Sequence, residues 1–200
     1  MDECCKVTTI SEQQQGVIRV VLWINISMFL IEAFAGLLIH STSLLADSVD
    51  MLGDAIVYGF SLYVIGRGSV WLGRAALLKG VIMGAFGIGV LAHVVFKAVH
   101  GLVPVAEMMG VVGMMALVAN LICLMLLRQH RSDDINMRSA WICSRNDVIG
   151  NAGVLIAALM VYLLHSPWPD IVVGLMIATL FVRSAISIIR EASKEIASLR

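Results

Sequence analysis

Six long apolar stretches follow one another along the chain, and the polar residues set inside them recur at helical spacing. The first, Val17 to Ile39, holds Asn25 and Glu32, seven residues and two turns apart and so on one face. The second, Ser43 to Gly66, carries three carboxylates, Asp47, Asp50 and Asp54, along one stripe. Ala75 to His100 is the third, with GAFGIG at Gly84 to Gly89, where small residues permit close helix packing, and with Lys97 near its end. Val105 to Leu127 follows with Asn120 inside it. The fifth starts between Ile135 and Ser139, runs to Leu164, and contains Cys143, Arg145, Asn146, Asp147 and Asn151. The sixth is Ile171 to Ile189, with REASKEIASLR as its amphipathic end. Each stretch reaches the roughly 20 residues needed to cross a bilayer. The pattern predicts an all-α integral membrane protein of six transmembrane helices. Residues 1–16 form a polar tail, 17–190 the six-helix membrane domain, and 191–200 a short second tail.

Composition agrees. Of 200 residues, 60% are hydrophobic and 14% charged, where soluble domains carry about a quarter charged. The net charge of zero gives no general attraction to nucleic acid, and none is expected as a partner. Lys6, Arg67, Arg74, Arg128, Arg131, Arg138, Arg190, Lys194 and Arg200 all fall on one side of the expected topology, which puts both termini in the cytoplasm. The N-terminus lacks a basic-then-apolar leader, so no removable signal peptide is expected. The four cysteines do not form a disulfide framework: Cys123 and Cys143 lie in apolar segments, and the adjacent Cys4 and Cys5 read as part of a tail rather than a soft-metal site.

The chemistry lies in the acids. A carboxylate at membrane depth costs at least a few kcal/mol, so it is retained for a cation or a proton. Asp50 and Asp54 stack one turn apart, and Asp54 lies about 18 Å from the cytoplasmic helix end. Asp147, on the fifth helix, lies roughly 14–20 Å in, so the two helices bring acids to one depth. Cys143 sits one turn nearer the cytoplasm. Carboxylates with a thiolate or amide oxygen suit a divalent transition metal, and sulfur favours softer ions. The same groups bind protons when metal leaves, so the two compete. Arg145 has an alternative reading as the ion-pair partner of one acid. Asn25 and Asn120 read as residues that pack or that position the ligands from behind, His130, Asp133 and Asp134 as a solvated loop, and His93 and His100 as interface residues.

These residues resemble the cation diffusion facilitators. The matching pieces are Asn25, Glu32 and Gly36, then SLLADSVDMLGD from Ser43 to Asp54, then Asn120, NMRSA from Asn136, DVIGNAGV from Asp147, and Pro169-Asp170 before IVVGL. The resemblance implies a homodimer in the lipid bilayer that exports a divalent metal, Zn²⁺ foremost and Cd²⁺, Co²⁺ or Ni²⁺ as others, in exchange for protons by alternating access. The metal is transported substrate, and no cofactor is implied. The family's site maps onto Asp50, Asp54, Cys143 and Asp147, with cysteine standing where His or Asp is common. DMLGDA from Asp50 and DVIGNA from Asp147 read alike, which makes Asn151 a rival fourth ligand, and Asp47 is a further candidate. Family members usually continue into a cytoplasmic domain; the sequence stops at Arg200, so a short form lacking it is expected, in a bacterial inner membrane. Other readings are an intramembrane aspartyl protease, suggested by MLGD at Met51 to Asp54, and a non-transporting metal sensor. An organic-cation exporter fits less well with 6% aromatic residues.

Overall fold

A computed structural model of the chain describes residues 15–63, 69–131 and 135–198. Its elements are α1 (Gln15–Leu38), α2 (Thr42–Tyr63), α3 (Ser69–His100), α4 (Ala106–Arg128), α5 (Ile135–Leu164) and α6 (Trp168–Ser198). Cys4, Cys5, Lys6, Arg67, Asp133, Asp134 and Arg200 lie outside the described residues. The expected tail boundary moves, because residues 15 and 16 already form the first turn of α1. α3 starts six residues before Ala75, as SVWLGR contains nothing that stops a helix. α6 begins with Pro169 and Asp170 in its first turn, where a proline needs no amide donor and an acid meets the positive end of the helix dipole.

Five of the six helices are long and apolar enough to cross a membrane: α1, α3 over Gly80–His100, α4, α5 over Ala140–Leu164, and α6 over Trp168–Arg190. α2 is the exception, and its position explains why. It packs against α1, α3, α5 and α6, and 15 of its 22 residues are buried. Asp47 and Asp54 are therefore enclosed by protein, and Asp50 partly so. The outward faces of the other helices carry Trp23, Phe34, Val99, Met125, Ile149 and Leu163, an apolar surface suited to lipid.

The closest helix partnerships are α3 with α6, α1 with α2, and α4 with α5. Glycine makes the first of these possible. A Cβ on Gly80 would lie 2.7 Å from Ile189, and one on Gly87 would lie 2.8 Å from Val182, so any larger residue pushes α3 and α6 apart. On α1 the buried stripe Ile18, Val21, Asn25, Met28, Glu32, Ala35 and Gly36 faces the bundle, as the spacing of Asn25 and Glu32 requires. α1 closes with His40 in the left-handed region (φ 54°) and the Ser41 amide bonded to the Gly36 carbonyl at 2.9 Å, a helix-ending turn that lets α2 start two residues later.

Candidate functional site

Asp54 and Asp147 are each 6% exposed, on facing helices, and Asp50 is only partly buried between them. The Asp50 and Asp147 side chains are within hydrogen-bond reach of each other, and Asp54 is near enough for its charge to act on Asp147. Two carboxylates that close need a proton or a cation between them. Tyr58, one turn beyond Asp54 and 3% exposed, donates its hydroxyl to Asp54 Oδ2 at 3.0 Å. The sequence reading did not single out Tyr58; its i,i+4 spacing from Asp54 was the available signal.

The neighbouring candidates form a second set. Asn151 donates its amide nitrogen to Asp47 Oδ2 and accepts from Asn120 Nδ2 at 2.9 Å, linking α2, α5 and α4. Ser144 Oγ in turn donates to the Asn120 carbonyl at 3.3 Å. Asn120 thus orients Asn151, the second of the two roles expected of it. Glu32 is fully buried beside Asp47, with neither carboxyl oxygen in a well-formed hydrogen bond. Asn25 spends its amide nitrogen on the Val21 carbonyl of its own helix at 2.9 Å.

Cys143 lies one turn before Asp147 on α5 and is 8% exposed. Arg145 does not take the role of counter-charge to the buried acids. It is exposed on α5, with its guanidinium 5.6 Å from the Trp141 ring, because position 145 turns half a helix away from Asp147. His93 stacks on His40, ring centroids 6.3 Å apart, at the end of the bundle where α1 passes into α2. Among the described residues no three His, Cys, Asp or Glu side chains already stand together as a metal cage; the acids meet pairwise.

The ion pair between Lys97 and Asp170 joins α3 to α6 with both side chains fully buried. The sequence reading noted both residues without pairing them.

Residues 18–197 match the family model described as the cation efflux transmembrane domain. Among known proteins, the chain is 27% identical to the zinc transporter ZitB of Yersinia pestis over 95% of its own length and 66% of that protein. It is 24% identical to the cadmium, cobalt and zinc/H(+)-K(+) antiporter of Bacillus subtilis, over 89% of this chain and 63% of that one. The metal cation efflux system protein CzcD of Cupriavidus metallidurans is 22% identical over 80% of this chain and 54% of its own. The chain therefore spans between about half and two thirds of the length of these relatives.

Proposed function

The chain belongs to the cation efflux family, and from that premise we propose that it moves a divalent transition metal, Zn²⁺ foremost, out of the cytoplasm in exchange for protons. The observation that carries this reading is the meeting of Asp50 on α2 with Asp147 on α5 inside the helix bundle, Asp54 beside them. Asp50, Asp54 and Asp147 hold the ion, and Cys143 completes the shell from α5. Asn151 and Asp47 are the next candidates, and their bond to each other makes them the rim of the site. Metal displaces the proton that the facing carboxylates otherwise share, so uptake of one drives release of the other. All six helices cross the membrane, α2 sheltered by its neighbours, with both termini in the cytoplasm and two copies forming the working unit. Named relatives that carry zinc, cadmium and cobalt support this cargo class.

The test is metal uptake into proteoliposomes under a pH gradient, with Zn²⁺, Cd²⁺, Co²⁺, Ni²⁺ and Mn²⁺ compared in the presence and absence of a thiol reductant. Counter-moving protons, and an uptake rate that falls at least about 100-fold in Asp54→Asn and Asp147→Asn, are expected. Uptake that survives both substitutions would remove these residues from the site. Uptake of none of the five ions would overturn the reading.

A further inference from the structure

The buried pair of Lys97 and Asp170 is the centre of a dense polar cluster at one end of the bundle. Asp170, in the first turn of α6, accepts from Ser41 Oγ at 2.7 Å, Ser43 Oγ at 2.6 Å and Thr42 Oγ1 at 2.7 Å. It also accepts the backbone amides of Thr42 at 2.7 Å and Ser43 at 3.1 Å, the otherwise unpaired donors at the start of α2. Lys97, in the last turn of α3, donates to Asp170 and to the His40 carbonyl at 2.6 Å. A carboxylate of α6 thus caps α2, and a cation of α3 neutralises it where the dipole of α3 favours positive charge.

A second feature points to the same place. Gly174 lies one turn after Asp170, and a Cβ there would stand 2.7 Å from the Thr42 carbonyl carbon and 2.8 Å from Thr42 Cβ. Backbone meets backbone, with no flexible side chain between to absorb sliding. The other end of α2 is held differently. Val57 and Tyr58 pack in an apolar cluster with Ile18 and Val21 of α1, Cys123 and Leu127 of α4, and Ala140 of α5. Apolar contacts are non-directional and tolerate a shift, whereas a buried ion pair with six hydrogen-bonded partners does not.

We propose that Asp170, Lys97, Thr42 and Gly174 form the pivot of transport, keeping the start of α2 fixed to α3 and α6 while its far end moves. This rests on the transporter reading above. The four are positioning residues: none touches the cation, but they set the fulcrum about which Asp47, Asp50 and Asp54 swing. α3 and α6, interlocked at Gly80 and Gly87, act as the frame, and access on the side of the pivot is opened by α4 and α5, whose Met109, Val112 and Val154 share one apolar cluster with Leu44 of α2.

The test is a cross-link that fixes the pivot covalently, in the double variant His40→Cys with His93→Cys, at two positions whose rings stack 6.3 Å apart beside Lys97. Metal uptake is measured after mild oxidation and again after thiol reduction, with the parent chain treated in the same way to account for its own cysteines. A fixed pivot predicts that the cross-linked form transports within about twofold of its reduced form. A drop of about tenfold or more on oxidation, reversed by reductant and absent in the parent, overturns the proposal, because it shows that these ends must separate. In Asp170→Asn, Zn²⁺ affinity by calorimetry should stay within about threefold of the parent while turnover falls about tenfold, a split that a purely structural role would not give. Thr42→Val, which keeps the ion pair, carries the same expectation where Asp170→Asn fails to assemble. A parent that takes up no metal refutes the transporter reading and the pivot together. An active parent with a stalled cross-linked variant refutes the pivot alone.

Discussion

Tyr58 reaches Asp54 with one hydrogen bond at 3.0 Å, and removing it asks how far that carboxylate depends on orientation. Tyr58→Phe keeps the ring that fills the cluster with Ile18 and Leu127 and deletes only the donor. At about 1 kcal/mol for such a bond, the concentration for half-maximal metal uptake should rise about fivefold, with little change in thermal unfolding. Lys97→Met should behave in the opposite way. It leaves Asp170 as a buried charge without its cation, and stability should fall by about 3–5 kcal/mol. Adding Asp170→Leu removes the stranded charge, so the double variant should recover most of the loss in a melt followed by circular dichroism. A double variant no more stable than Lys97→Met would show that the hydroxyls of Ser41, Thr42 and Ser43 dominate the cluster. At this scale the sequence revealed which faces were polar. Helical spacing placed Glu32 with Asn25, and Asp47 with Asp54, on buried faces, with Asp50 partly buried. It was silent on partners across helices. That Lys97 finds Asp170, 73 residues away, depends on how α3 and α6 are rotated and tilted, which periodicity within one helix does not encode.

Between elements, glycine spacing carries much of the architecture. Gly80→Leu would drive a side chain into Ile189 and towards the Ala185 carbonyl, 3.3 Å from even a bare Cβ. The expected cost is about 1–3 kcal/mol, read as a lower melting temperature, and Gly89→Ala should be silent because nothing lies within 4 Å of that position. The GAFGIG run did signal close packing in the sequence, but Gly80, outside that run, makes the tighter approach. Helix existence was legible throughout because each apolar stretch is long. Ends were less so: the early start of α3 lies in a segment whose arginines made it look like a loop, although none of its residues breaks a helix.

For the whole molecule, an ion bridging α2 and α5 as proposed should also hold the bundle together. Zn²⁺ at about 100 times its dissociation constant should raise the unfolding free energy by about 2.7 kcal/mol in the parent, and not at all in Asp54→Asn with Asp147→Asn. An equal shift in both would mean that the ion binds elsewhere. The arrangement of α2 also bears on how the protein is made. Each aspartate costs about 2.5–3.5 kcal/mol when a lone helix partitions into lipid from the translocon, and α2 carries three. This helix is a poor recruit on its own. Its Asp47 partner lies on α5, and the group that caps its first turn arrives only with α6. Nascent chains that end after α2 should leave it outside the hydrocarbon, as a glycosylation-mapping reporter would register, and chains that include α6 should draw it in. The aspartates proposed to hold the ion thus make the insertion of α2 a late and collective event, dependent on helices not yet translated when it leaves the ribosome.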